Sequence, residues 1–231
     1  MSLKDYPSYI KVPVDINDNA PKKPKCRFYL KAIDISSSKS KSKSVLVIMM
    51  NPSKATIKKT DITVFKIIEH SHKFLGAKEI TILNLYPFYE PNSSNVKQSI
   101  SKLSTDKYNK LMNRNLSCIK DTIIKQQYDY VFLAWGNPPK SFSDVEHKKL
   151  GYDILSFIKK KISLSNSLYV YSFKNYKGLT VKNNPFHPSR KGKIIGIQKI
   201  DSFSLLKSHS KYSISLTQVY IPNEKIKESL V

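Results

Sequence analysis

Asn51, Asn84 and His187 are the residues of this chain whose types and settings can do chemistry. A carboxamide donates and accepts at once, so it can orient a water or read a hydrogen-bonding edge while being a poor base. A neutral imidazole can donate to an oxygen that gains charge. Each lies in a polar string that follows an apolar run. Val45-Leu46-Val47-Ile48-Met49-Met50 stops at Asn51-Pro52-Ser53, and Ile80-Thr81-Ile82-Leu83 stops at Asn84-Leu85-Tyr86-Pro87-Phe88. Tyr130-Val131-Phe132-Leu133-Ala134 stops at Trp135-Gly136, and a run ending at Phe173 leads on to Asn183-Asn184-Pro185-Phe186-His187-Pro188-Ser189-Arg190.

Continuous apolar runs bounded by breakers read as strands buried on both faces. Ligands of open α/β sheets bind in the crevice beyond the carboxyl ends of such strands, which is where all these polar strings fall. Helical spacing separates the runs. Asp61 is placed to cap a helix carrying Ile62, Phe65, Ile68 and Phe74-Leu75, ended by Gly76. The segments 106–126 and 144–162 carry apolar stripes of the same period. Alternation of strands and helices predicts a single α/β domain with a mainly parallel central sheet and helices on both faces. The expected organisation is an arm over residues 1–25, the α/β domain over 26–206 and an extension over 207–231. The extension has one alternating run, Tyr212 to Leu216, to which no role is given.

The charge is lopsided: 40 Lys and Arg against 17 Asp and Glu, a formal +23. Such an excess favours a polyanion, because each neutralised phosphate releases counterions. The cysteines, Cys26 and Cys118, lack cluster spacing, and His70 and His72 fall on different helix faces, so no metal site is expected. No apolar signal core or membrane-length apolar run is present. The expected protein is a cytoplasmic monomer that binds nucleic acid without cofactor, metal or membrane.

In order and combination, Met50-Asn51-Pro52-Ser53, Leu83-Asn84-Leu85, Val131 to Gly136 and Phe186-His187-Pro188-Ser189 resemble the motifs of the uracil-DNA glycosylase superfamily. The chain also looks like a bacterial family catalogued as a domain of unknown function, which shares the Asn-Pro-Ser, Ala-Trp-Gly and His-Pro features. The resemblance implies a three-layer glycosylase-like sandwich and a monofunctional DNA glycosylase that flips out a base and hydrolyses its N-glycosidic bond. It implies that Asn51 positions the attacking water and His187 bonds the departing base. Asn84 reads the base edge, with Phe65, Tyr86 or Phe88 offering an aromatic face. Ser53, Lys54, Lys58, Ser189, Arg190, Lys191 and Lys193 grip phosphates. Arg190-Lys191-Gly192 stand where glycosylases place an apolar wedge, which leaves the target open between uracil and a bulkier modified base of phage type; the latter makes a defence enzyme. A nucleic-acid binder that lost catalysis and a hydrolase of free nucleotides or nucleosides are the rival expectations.

Overall fold

The computed structural model describes residues 3–16, 25–36, 42–52, 54–89, 98, 100–138, 142–161, 168–189, 192–206 and 211–228. Its elements are β1 (Ile10–Ile16), β2 (Tyr29–Asp34), β3 (Lys43–Met49), α1 (Ile62–Phe74), β4 (Ala77–Asn84), α2 (Thr105–Lys125), β5 (Tyr130–Ala134), α3 (Asp144–Lys161), β6 (Leu168–Phe173), β7 (Tyr176–Lys177), β8 (Ile194–Leu206), β9 (Lys211–Pro222) and α4 (Asn223–Glu228). The strands form a 9-stranded sheet in the order β1-β2-β4-β3-β5-β6-β8-β9, with β7 pairing β6.

The central strands are apolar on both faces because each face has its own core. Along β3, Val45, Val47 and Met49 join the core under α1, whereas Leu46 and Ile48 join the core under α2 and α3. The period of two divides β5 the same way: Val131, Leu133 and Trp135 on one side, Phe132 and Ala134 on the other. Helices cover both faces, giving three layers.

The expectation of a mainly parallel sheet is corrected. Only β3–β4, β3–β5 and β5–β6 are parallel. The ladders β1–β2, β2–β4, β6–β7, β6–β8 and β8–β9 are antiparallel. The reason is connection length: parallel neighbours need a crossover such as α1 or α3, whereas only four residues separate β8 from β9, too few for a crossover. The strand starting at Tyr29 is not at the edge, since β1, from the segment expected as an arm, pairs outside it. The boundary expected at residue 206 falls at the end of β8, and β9 continues the same sheet.

Asp61 caps α1 as expected: its Oδ1 accepts from the Thr63 and Val64 amides at 2.8 and 3.1 Å. The buried stripe of α1 is Val64, Ile67, Ile68 and Ser71, so Phe65 lies off it. His70 and His72 go to different partners, Asn223 and Asp34.

Candidate functional site

The site is built from the β3 end outward. The ladder continues past the strands, with the Leu85 amide donating to Met49 O and the Tyr86 amide to Met50 O, both at 2.8 Å. Asn51 therefore stands beside the residues that follow Asn84. Its half-buried amide donates to Pro52 O at 3.1 Å. The loop beyond is pinned at Ala55, whose amide donates to the second oxygen of Asp61 at 3.0 Å. The Ala55 carbonyl accepts from Arg27 Nη1 at 2.7 Å and from the Tyr89 hydroxyl at 3.1 Å. Asp61 thus caps the helix and fixes the loop with one carboxylate. Arg27, fully buried, acts as a structural brace that nothing in its flanking sequence signals.

Asn84 ends β4 opposite Met49. Its neighbours Leu83 and Leu85 both belong to the core under α2, so the alternation turns Asn84 to the α1 side. It is fully buried, and neither atom of its amide has a hydrogen-bond partner among the described residues. A buried orphan amide costs roughly 1–3 kcal/mol, so such a group takes its partners from an ordered water or from a ligand. The backbone at this point is fixed from below by Asn115 of α2. Its Nδ2 donates to Asn84 O and Leu85 O at 2.9 and 3.0 Å. Asn115 was hidden in the sequence as a polar position inside an apolar stripe.

The Trp135-Gly136 and His187 strings meet. The Gly136 amide donates to Pro185 O at 2.7 Å, and Gly136 has φ +71°. A Cβ at Gly136 would lie 2.9 Å from His187 Cβ, so the backbone and Cβ of His187 are seated directly on the glycine. Its Nδ1 accepts from the Ser189 amide at 3.1 Å and lies 2.8 Å from the Ser189 hydroxyl. A backbone N–H only donates, so in the neutral ring the proton is on Nε2. The Nε2 of His187 is accordingly a donor, and it is buried in the free protein. Beneath it, fully buried His147 of α3 donates from Nε2 to Gly136 O at 2.9 Å, and burial lowers its pKa to about 4. The sequence shows His147 as an ordinary polar residue in a helix start.

One tyrosine ties this loop to the sheet edge. The Tyr212 hydroxyl donates to Asn184 Oδ1 at 2.5 Å and accepts from Trp135 Nε1 at 2.8 Å. Asn184 Nδ2 and the Thr180 hydroxyl both donate to Asn137 Oδ1, at 3.0 and 2.7 Å. Gly151 leaves room for the Tyr212 ring, since a Cβ there would stand 2.4 Å from ring carbon Cε1. Tyr212→Phe should cost about 1–3 kcal/mol, because it orphans a buried indole N–H and a buried amide oxygen. Urea denaturation would show this as a lower midpoint at constant m-value, and a loss below about 0.5 kcal/mol would remove the hydroxyl from this role.

Other expected site residues are placed differently. Tyr86 and Phe88 are fully buried. Tyr86 packs against Phe142 and His147 at ring distances of 4.5 and 6.0 Å, and Phe88 stacks on Tyr108 at 5.8 Å. Both are core aromatics with no open face, which corrects the expectation of stacking platforms. Phe65 is partly exposed, with Lys4 Nζ 4.9 Å from its ring centroid. Lys54, Lys58 and Ser189 are exposed. Lys193 lines a cavity of about 470 Å³ with Lys66, His70, Lys73 and Asn223, between α1 and the β8–β9 edge. A second cavity of about 580 Å³ lies between β2, β4 and α2, beside Arg114 and Cys118. Ser53, Arg190 and Lys191 lie outside the described residues. Among the described residues, no three His, Cys, Asp or Glu side chains are grouped to hold a metal ion, and no helix is long and apolar enough to cross a membrane.

A family model described as Protein of unknown function (DUF1643) matches residues 27–189, so the chain belongs to that family. That segment holds Asn51, Asn84, Gly136 and His187, and it ends before β8. No curated protein and no solved structure matches the chain.

Proposed function

We propose that this DUF1643 protein is a monofunctional DNA glycosylase of uracil-DNA glycosylase-like fold, which flips a uracil or a modified base out of DNA and leaves an abasic site. The observation that carries the reading is Asn84: a fully buried amide, without partners among the described residues, at the carboxyl end of a parallel strand. Its paired donor and acceptor match the pairing edge of a base. The amide is enclosed in the free protein, so a base reaches it only after a neighbouring segment moves aside.

In this reading the bond between the sugar C1′ and the base nitrogen breaks with its electron pair leaving on the base. Hydrolysis runs through an oxocarbenium-like sugar, which an amide-oriented water can attack without a strong base. Asn51 holds that water; its oxygen bonds to C1′ and its proton leaves to solvent. His187 donates from Nε2 to the base oxygen where negative charge gathers, the kind of placed donor that commonly contributes most to such catalysis. The formal charge of +23 supports DNA as the partner. A base of phage type would make the reaction a defence step.

The burial of Tyr86 and Phe88 favours a second reading, a nucleic-acid binder of the same fold without catalysis. The two separate on base release from duplexes carrying uracil, mismatches, or modified and glucosylated cytosines. We expect release from one substrate, reduced more than about a hundredfold in Asn51→Ala and His187→Ala, with affinity changed less than about twofold. DNA bound without release of any base would establish the binder instead.

A further inference from the structure

A cationic cluster drawn from α3, the 180–184 turn and β9 is not used by the proposed site. Lys148 of α3 is half-buried, and its Nζ sits 4.1 Å from the centroid of the Tyr212 ring. Among the described residues its Nζ forms no salt bridge. Asp144, one turn earlier, is held by Lys182 Nζ at 2.7 Å, and Asp153 is held by Lys149 at 2.8 Å. Burial disfavours charge on Lys148, Asp144 favours it, and Lys211 at the start of β9 disfavours it. Asp144 thus pairs with Lys182 and attracts Lys148, while Lys211 repels Lys148, so three ammonium groups gather about one carboxylate.

Three ammonium groups around one carboxylate repel one another, and a bound anion removes that cost. Lys182 and Asn184 share the turn that Tyr212 fastens, and the same turn carries on to His187. The cluster thus borders the candidate site and is assembled from α3, the 180–184 turn and β9. β9 lies outside the family-matched segment, so the hairpin adds a cation to a site that the matched segment builds.

We propose that Lys148, Lys182 and Lys211 form a phosphate clamp that holds the backbone of a nucleic-acid strand entering the Asn51–His187 site. This rests on the reading of nucleic acid as the partner, and extends it to residues that no motif marks. The tyrosine ring under Lys148 is suited to the task, because an aromatic face favours the charged form that burial disfavours. The clamp contacts phosphate alone, so it contributes affinity equally for all sequences.

The test is binding of fluorescein-labelled unmodified duplex and single-stranded DNA, by anisotropy over a salt series, to the full chain and to Lys148→Gln, Lys211→Gln and Lys159→Gln. Lys159 is an exposed control at the far end of α3. Lys148→Gln and Lys211→Gln should each weaken binding about three- to tenfold and lower the salt slope by about one, with Lys159→Gln unchanged. Melting temperatures within a few degrees of the parent would confirm intact folds. Equal losses in all variants, or none in any, would overturn the clamp while leaving DNA binding and base release standing. A parent chain that binds neither DNA would overturn the clamp and the proposed function together. Competition by polyglutamate as strong as by unlabelled DNA would mark the cluster as a site for acidic peptide and also overturn the clamp.

Discussion

Gly136→Ala is expected to lower the rate of base release at least about a hundredfold while the protein stays folded. Two costs meet at this position. Its φ of +71° lies where an L side chain costs about 1–2 kcal/mol. The new methyl would stand 2.9 Å from His187 Cβ, closer than Cβ contacts allow. The glycine cannot retreat easily, because its amide is tied to Pro185 O at 2.7 Å and its carbonyl to His147 at 2.9 Å. Relief comes by moving His187, and a displacement of about 1 Å in a reacting group costs on the order of a hundredfold in rate. The double variant Gly136→Ala, His187→Ala should be little slower than His187→Ala alone, since both changes remove the same donor. Single-turnover release measured beside thermal melting separates this from global instability. An unchanged rate with an unchanged melting temperature would mean that the seat does not govern the imidazole.

What the sequence makes legible, and what it hides, follows from the range of the forces involved. The two-faced burial of β3 was readable because a continuous apolar run needs apolar cover on both sides, and the Asp61 cap was readable because it acts within one helical turn. That the Trp135-Gly136 and His187 strings share one rim was readable from the strand ends they follow, whereas their contact was not. The antiparallel flanks were not readable: which strand β1 or β8 joins depends on partners far along the chain, and their residues show no long apolar run. Asn115, His147 and Tyr212 escaped for a related reason. Each is a single polar group in an otherwise apolar stripe, and its value lies in one backbone or side-chain partner that sequence spacing does not reveal. Tyr86 and Phe88 stood in a motif where open aromatics are useful, yet helices carrying His147 and Tyr108 supply rings that cover them.

The same buried imidazoles make the fold acid-labile in a defined window. His70 donates to Asn223 Oδ1 at 3.0 Å, since the Asn223 amide nitrogen is committed to Ile194 O at 2.8 Å. His147 donates to Gly136 O at 2.9 Å. Burial lowers each from 6.5 to about 4. Both are therefore neutral in the folded protein at pH values where the unfolded chain protonates them. The unfolded state binds more protons between pH 6.5 and about 4, so stability is fully present above 6.5 and declines as pH falls towards 4. Each histidine accounts for about 3 kcal/mol across that span, and the pair for a large part of an ordinary domain's 5–15 kcal/mol. Urea midpoints measured from pH 8 to 4 should hold level and then drop steeply below about 6.5. His147→Gln keeps a donor for Gly136 O without a titrating ring, so it should roughly halve the slope even where it lowers stability at pH 8. His70→Gln should do the same independently, because the two rings lie on opposite faces of the sheet, one on α1 and one on α3. A slope unchanged by both substitutions would assign the acid transition to carboxylates. Their separation also predicts an order of events: protonating His147 loosens Gly136 and with it the seat of His187, so base release should decline with acid in the parent more than in His147→Gln, while His70→Gln restores stability without restoring the rate.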